Sequence, residues 1–227
     1  MALCAPRGVW AFDNWLTLRD AGVVRQQYDY SCGLAALATL LQLAGEPITE
    51  DELLQTLAEH FPEHDPQDGG VSMADLAWLA GVHGYPAGGF YLDEAALREL
   101  RQPVIVALSV NGRAHFSVLN SVDSQGVVHL ADPSWGNRRV AAWEFSTLFV
   151  PARDGASDKS YEIPRDNLRE HDGDDTSAAS ATTERVPATG RVLIVLGRDG
   201  NRLPRSVGGP QPRVPVQRIA PSWLGLP

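Results

Sequence analysis

The sequence is poor in cysteine, in basic residues and in long apolar runs. Its 227 residues include two cysteines, Cys4 and Cys32, and no CxxC pair. Neither a disulfide framework nor a cysteine-based zinc or redox site is therefore predicted, although a single bridge between the two cysteines stays open. With 19 Lys and Arg against 28 Asp and Glu, the net charge is -9, which disfavours nucleic acid and anionic membranes as partners. No apolar run approaches the roughly 20 residues of a transmembrane helix.

Several functional signals are missing as well. The start of the chain, MALCAPRGVWAFDNW, lacks the basic residues and long apolar stretch of a signal peptide, so none is predicted. The sequence has no GxxxxGK(S/T) segment of the kind that cradles a nucleotide phosphate. Its His, Cys and acidic residues form no group with the spacing of a metal site. We therefore expect no metal or organic cofactor.

Apolar residues at helical spacing dominate the first half of the chain. Leucines and alanines from Leu34 onward predict a helix that ends at Gly45. Thr49 followed by Glu52 is a capping-box pattern and predicts the start of the next helix. Two further helices are predicted, one beginning at Ser72 and one in the segment LDEAALRELR.

The second half has the pattern of strands. PVIVALSV is a continuous apolar run, typical of a buried strand. HFSVLNSV and VVHLADPS are predicted to form a hairpin that turns at DSQG. WEFSTLF is predicted as a short helix or an edge segment. Helices followed by an antiparallel sheet define an α+β fold.

Composition predicts one folded domain with additions. The domain is assigned to residues 20–151, after an N-terminal extension at 1–19. Residues 152–190 are polar, acidic and almost free of large apolar side chains, so they are predicted to be disordered or a surface insertion. The apolar segment 191–197 is predicted to return as the last strand of the domain. Residues 198–227, rich in Pro, Gly and Arg, are assigned as a tail.

Cys32 lies where the first predicted helix begins, with Asp29 and Ser31 as candidate capping residues just before it. Free N–H groups and the positive end of the helix dipole stabilise a thiolate more than a thiol, and the thiolate is the attacking species of cysteine enzymes. Free cysteine is also among the most buried residue types, so a core position is the alternative.

The six histidines fall into two groups. Four belong to helix ends, turns or the polar segment and are interpreted as solvated surface residues: His60, His64, His83 and His171. The other two lie on predicted strands and are the candidates for a catalytic base: His115 and His129. His129 has apolar neighbours on both sides, which is typical of a strand histidine without a catalytic role.

The predicted hairpin brings His115 close to a carboxylate. His115 opens the first strand and Asp132 ends the second, and these two positions are adjacent in an antiparallel hairpin. A carboxylate there can hold the imidazole in one tautomer. Asp132 precedes a proline, so a simple turn is its other interpretation, and Asp123, at the turn end of the hairpin, is the weaker partner for His115.

Gln26 completes the set of groups that a cysteine protease needs. It lies six positions before Cys32, and its side-chain amide can donate to a developing negative charge, together with the backbone N–H of Cys32. Thiol, imidazole, carboxylate and oxyanion donor then occur in an order that helix-on-sheet packing can bring together.

These motifs resemble the double-glycine, or bacteriocin-processing, leader peptidases, a family of papain-like cysteine peptidases. The likeness lies in QQYDYSCGLAALATLL, AHFSVLNSV and HLADPSWG, which cover about residues 20–150. It implies a papain-like fold, with Cys32 as nucleophile, His115 as general base and acid, Asp132 orienting the ring and Gln26 in the oxyanion hole. VVRQQYDYSCG is most similar to the standalone branch, which lacks an exporter.

The resemblance also implies a substrate and a place. The family cleaves after Gly-Gly or similar small-residue pairs in an extended segment of a secreted peptide or protein. The standalone branch is usually found beyond the cytoplasmic membrane, which implies a periplasmic or cell-envelope location despite the missing signal peptide. One subgroup occurs in operons for secreted functional amyloid, so an amyloid-operon protein is a candidate partner.

Two other functions are compatible with the same residues. A peptide-binding or chaperone-like module could keep the fold without cutting, although such a module has no need of all four catalytic groups. An amidase or acyltransferase could use the same triad on another acceptor, because one triad serves all acyl transfers.

Overall fold

The computed structural model describes residues 15–63, 65–149 and 189–204. Its helices are, in chain order, α1 Trp15–Asp20, α2 Cys32–Leu43, α3 Glu50–His60, α4 Pro66–Gly69, α5 Met73–Val82, α6 Glu94–Glu99 and α7 Ala142–Leu148. Its strands are β1 Ala87–Leu92, β2 Val104–Val110, β3 Arg113–Val122, β4 Val128–Asp132, β5 Gly136–Val140 and β6 Gly190–Val195.

All six strands form one sheet, and every neighbouring pair is antiparallel. The spatial order is β1-β6-β2-β3-β4-β5. The last strand in sequence therefore lies between the first two, and β2 to β5 follow one another as a meander. This arrangement puts β3 and β4 side by side, as the predicted hairpin requires.

Helices cover both faces of the sheet. On one face, Ile105, Val118 and Leu193 join the fully buried leucines of α2, α3 and α5 in one apolar cluster. On the other face, Val106 and Leu130 pack with residues of α6 and α7 in a second cluster. Alternate strand residues thus face opposite cores. The predicted α+β architecture, with helices packed on an antiparallel sheet, is confirmed.

Helix α2 is the most deeply buried helix among the described residues. Every residue from Gly33 to Leu41 is buried, and the helix packs directly on β3. A Cβ atom on Gly33 would lie 3.1 Å from a ring carbon of Phe116 and 3.2 Å from a methyl carbon of Leu76. The absence of a side chain at position 33 therefore lets the start of α2 approach β3 closely, and this approach brings Cys32 to the strand that carries His115.

Local sequence signals explain where several helices begin. The predicted capping box forms between Thr49 and Glu52, and a second one forms between Ser72 and Asp75. WEFSTLF forms most of helix α7 and its C-cap, Phe149, so the helical form of the two predicted for it is present. Helices α1 and α4 and strand β5 were not anticipated.

Parts of the sequence-based interpretation concern residues outside the described ranges. These include Cys4 and its proposed bridge, most of the N-terminal extension, almost all of the polar segment 152–190 and most of the tail. Within the described ranges, no helix is long and apolar enough to cross a membrane. The same residues contain no cluster of three or more His, Cys, Asp or Glu side chains that could hold a metal ion.

Candidate active site

Cys32 is the first residue of helix α2 and is half-buried. Its Sγ atom accepts a hydrogen bond from the backbone N–H of Phe116 on β3, at 3.4 Å. Ser31 occupies the N-cap position, but its side chain does not cap the helix. Its hydroxyl instead accepts from the Tyr28 N–H at 3.2 Å and donates to the Tyr28 carbonyl at 2.8 Å. The Ser31 side chain therefore leaves the first N–H groups of α2 without a side-chain cap.

His115 and Asp132 are paired across the hairpin. The His115 Nε2 and Asp132 Oδ2 atoms lie 3.1 Å apart, and the two side chains are 12% and 1% exposed. Cys32 is close enough to the imidazole to raise its pKa, and its sulfur accepts from the N–H of Phe116, the residue next to His115. The structure therefore brings a thiol, an imidazole and a buried carboxylate together.

The charges at this pair support one another. Burial is the largest influence on His115 and lowers its pKa, but hydrogen bonds and charge interactions with Asp132 and Cys32 outweigh it and raise the pKa to about 9. Burial also opposes ionisation of Asp132, yet the hydrogen bond and charge of His115, the charge of Arg138 and the Ser134 N–H together lower the pKa of Asp132. The geometry therefore favours an imidazolium next to an ionised carboxylate.

A tight turn fixes the Asp132 carboxylate. Its Oδ1 atom accepts from the backbone N–H groups of Ser134 at 2.9 Å and Trp135 at 3.1 Å, while Oδ2 faces His115. An aspartate that binds the backbone two and three residues ahead is a common turn former. The two interpretations of Asp132 are therefore compatible. Oδ1 holds the turn, and Oδ2 is free to face the imidazole.

Gln26 belongs to the segment that precedes Cys32, and it contacts the turn that follows Asp132. Its Nε2 atom donates to the Tyr28 carbonyl at 2.9 Å, and its Oε1 atom accepts from the Ser134 hydroxyl at 2.6 Å. Its backbone N–H donates to the Pro133 carbonyl at 3.1 Å. The structure therefore joins Gln26 to both chain segments that carry the other predicted site residues.

The second candidate pair lies at the opposite end of the hairpin. His129 Nε2 is 3.4 Å from Asp123 Oδ2, and Arg139 Nη2 lies 3.7 Å from the same carboxylate oxygen. Asp123 therefore has its own histidine partner beside the β3–β4 turn and is not the partner of His115.

The other histidines need one correction. His60 is exposed and stacks on Trp78, with ring centroids 4.4 Å apart. His83, interpreted as solvated, is half-buried at the end of α5, and its buried Nε2 atom has no hydrogen-bond partner among the described residues. A turn position at a helix end therefore did not place the ring in water. His64 and His171 are outside the described residues.

Residues that sequence reasoning overlooked hold the site in place. Arg25 donates to the carbonyls of Pro133 at 3.0 Å and Ser134 at 2.5 Å, and also to Asp20 Oδ1 at 2.7 Å. It thereby links the segment before Cys32 to the Asp132 turn. In the sequence, only its position directly before Gln26 points to a role. A single arginine there does not predict which carbonyls its guanidinium will bind.

Glu50 binds the backbone of the segment that precedes Cys32. It is the first residue of α3 and only 1% exposed, and both of its carboxylate oxygens accept from the Gln27 N–H, at 3.0 and 3.2 Å. Burial is the largest influence on this carboxyl and raises its pKa, against hydrogen bonds from Ser31 and Gln27. Sequence alone marks Glu50 as an ordinary first-turn acid, because such residues are common at helix starts.

A half-exposed thiol at a helix start, an imidazole beside it and a buried carboxylate behind the imidazole are the parts of nucleophilic acyl transfer. The fold and the site are those of a papain-like cysteine peptidase. The chain belongs to the Peptidase C39 family, whose sequence model matches residues 20–151. The family indicated by the sequence motifs is thereby confirmed.

Two relatives from Pseudomonas carry the name "Probable functional amyloid protease FapD". The Pseudomonas aeruginosa protein is 36% identical over 129 residues, which are 56% of this chain and 57% of that protein. The Pseudomonas fluorescens protein is 29% identical over 150 residues, which are 64% of this chain and 66% of that protein. The chain thus spans less than two thirds of the length of these relatives.

Among solved structures, the peptidase domain of Streptococcus ComA, described as a bifunctional ABC transporter involved in quorum sensing, has the same fold. The TM-score is 0.50 at 15% sequence identity, and the match covers 77% of this chain and 97% of that domain. The predicted papain-like fold class is therefore confirmed.

Proposed function

We propose that this peptidase is an endopeptidase in which Cys32 is the nucleophile and His115 the general base and acid. The single observation that carries the proposal is the His115 imidazole 3.1 Å from the buried Asp132 carboxylate, on the strand whose Phe116 N–H donates to the Cys32 sulfur. Asp132 orients the ring and stabilises its charged form. Gln26 and the Cys32 backbone N–H donate to the oxyanion.

The reaction follows from these roles. The Cys32 sulfur attacks the scissile carbonyl carbon, a C–S bond forms, and the carbonyl oxygen becomes an oxyanion. His115 then donates its proton to the leaving amine as the C–N bond breaks, which leaves a thioester on Cys32. Water attacks the thioester while His115 takes one proton from the water, and the C–S bond breaks to restore the thiolate. The product leaves as a carboxylic acid, which loses its remaining proton to solvent.

The proposed substrate is an extended segment of a secreted or exported protein, cut after Gly-Gly or a similar small-residue pair. Two observations support this choice. The motifs around Cys32, His115 and Asp132 resemble those of double-glycine leader peptidases, and the two Pseudomonas relatives are named as functional amyloid proteases. A secreted amyloid-type protein is accordingly the first partner to test.

Short peptides with a central Gly-Gly, and matched peptides with Val-Val there, test the proposal by mass spectrometry of the products. We expect the parent chain to cut only the Gly-Gly peptides, and Cys32→Ala and His115→Ala to cut neither. Cys4→Ala is the matched control, because it removes the other cysteine of the sequence, and it should cut as the parent does.

The other outcomes identify the other functions. If the parent cuts no peptide but Cys32 transfers an acyl group from an activated ester to an amine, the protein is an amidase or acyltransferase. If Cys32 reacts with iodoacetamide no faster than Cys4 across the pH range, the thiol is an ordinary one and the peptide-binding module is favoured.

A further inference from the structure

Among the described residues, the Ser134 hydroxyl is the group of the Asp132 turn that hydrogen-bonds to the side chain of Gln26. Its hydroxyl lies 2.6 Å from Gln26 Oε1. Neither the roles assigned to the triad nor the oxyanion donors account for this contact. It involves the amide whose orientation decides whether Gln26 can donate to an oxyanion at all.

The surroundings of Gln26 permit only one orientation of its amide. The Tyr28 carbonyl, 2.9 Å away, can only accept a hydrogen bond, so the atom facing it must be Nε2. The atom facing Ser134 is then Oε1, and the serine hydroxyl must be the donor. The second N–H of Nε2 hydrogen-bonds to no residue that the structure describes, so it is available to a substrate oxygen.

The Ser134 backbone is itself fixed on both sides. Its N–H donates to Asp132 Oδ1 at 2.9 Å, and its carbonyl accepts from Arg25 Nη2 at 2.5 Å. Arg25 is in turn paired with Asp20 at 2.7 Å. The hydroxyl therefore reaches Gln26 from a rigid turn, which also carries the carboxylate that faces His115.

We propose that Ser134 is a positioning residue for the oxyanion hole: its hydroxyl holds the Gln26 amide with one N–H directed to the reacting carbonyl. The inference rests on the proposed function, because Gln26 is an oxyanion donor only if Cys32 attacks a carbonyl. Through Ser134, a single turn sets both the ring orientation of His115 and the amide orientation of Gln26.

Two reactions of Cys32 separate this role from a merely structural one. Alkylation by iodoacetamide is a displacement at a saturated carbon and develops no oxyanion, whereas acylation by N-acetyl-Gly-Gly p-nitrophenyl ester does. Both rates are measured on the full chain with Ser134→Ala, with Ser134→Thr, which keeps a hydroxyl, and with Ser146→Ala. Ser146 is exposed on α7 and donates to the Ala142 carbonyl of its own helix, at 2.9 Å, so it is the matched control.

We expect Ser134→Ala to lower the acylation rate by about 10- to 100-fold, less than the roughly 100- to 1,000-fold cost of removing an oxyanion donor. Its alkylation rate and the pH dependence of that rate should match the parent, because the backbone N–H that binds Asp132 is retained. Ser134→Thr should recover most of the acylation rate, and Ser146→Ala should change neither reaction.

The inference is overturned if Ser134→Ala acylates as fast as the parent, or if both of its rates fall in the same proportion, which would indicate general damage to the site. Failure of the proposed function has a different signature. In that case, Cys32 of the parent reacts as an ordinary thiol in both assays before any variant is compared.

Discussion

At the scale of single residues, the His115 imidazole is the most informative group of the site. Burial alone would lower its pKa, yet Asp132 and Cys32 raise the pKa to about 9, so the charged ring is the form that the folded protein stabilises. A ring with a raised pKa stays protonated at neutral pH and loses its proton only as the pH approaches that value. The site is thus arranged to keep the proton that a leaving amine needs.

Replacing Asp132 with Asn should lower the pKa of His115 by about 1 to 3, because an adjacent opposite charge contributes a change of that size. The ring would then deprotonate at a lower pH, and the alkaline limb of peptide cleavage should move to lower pH with it. An NMR titration of the His115 Cε1 proton measures the pKa directly.

Asp123→Asn is the matched control for that titration. Asp123 lies 3.4 Å from His129 at the other end of the hairpin, so its loss should leave His115 unchanged. An unaltered His115 pKa in Asp132→Asn, or an equal fall in both variants, would show that the carboxylate 3.1 Å away does not stabilise the imidazolium.

At the scale of elements, the segment from Arg25 to Ser31 is held from two sides. The turn after β4 binds Arg25 and Gln26, and the start of α3 binds Gln27 through Glu50. Between these anchors, the chain enters α2 at Cys32. Gln26 and Cys32, the proposed oxyanion donor and nucleophile, therefore depend on contacts with two elements that are distant in sequence.

Glu50→Ala should lower the free energy of unfolding by about 1 to 3 kcal/mol, because it leaves the Gln27 N–H without its acceptor. Glu50→Gln should cost less, since it keeps one acceptor oxygen and removes the need to bury a charge. Urea denaturation measures both. Glu59→Ala is the control, because Glu59 is exposed on the last turn of the same helix and accepts from Gln55 of that helix. A loss as large as that of Glu50→Ala would contradict the assigned role.

The elements also show which parts of the site could be predicted from the sequence. His115 and Asp132 could be placed together because two β-rich runs flank the short turn at DSQG, and an antiparallel hairpin fixes which ends meet. Strand β5 has the sequence GNRRV, in which two arginines hide the apolar alternation, although Arg138 is 6% exposed. The strand forms by pairing with β4, and the pattern of those five residues does not predict this pairing.

The contacts of Arg25, Glu50 and Ser134 were not predictable for a related reason. Each joins segments that lie 23 to 109 positions apart in the chain. Hydrogen bonds of this kind follow from the packing of α2 on β3, and a sequence indicates such packing only in outline. Sequence reasoning could propose which groups react, whereas the contacts that hold those groups could be seen only in the fold.

At the scale of the whole molecule, strand β6 joins β1 to the rest of the sheet. It follows β5 in sequence by 50 residues, since β5 ends at Val140 and β6 begins at Gly190, yet it lies between β1 and β2. Leu193 is fully buried on the face of the sheet that packs against α2, α3 and α5. The edge strand β1 pairs with β6 along its whole length. We therefore expect changes in β6 to affect the stability of the fold more strongly than they affect the active site.

Leu193→Ala tests this division. It should lower the free energy of unfolding by about 2 to 5 kcal/mol, the usual cost of a cavity at a buried leucine. Ile194→Ala, at the half-buried neighbouring position on the opposite face, should cost about 1 kcal/mol because less apolar surface leaves the core. In urea denaturation, the free energy of unfolding of both variants should fall with urea concentration at the same slope as that of the parent.

The folded fraction of Leu193→Ala should still alkylate at Cys32 at the parent's rate, because His115 and Asp132 belong to β3 and β4. A variant that stays folded but loses this reactivity would show that β6 shapes the site itself, and the separation of stability from catalysis along the sheet would be wrong.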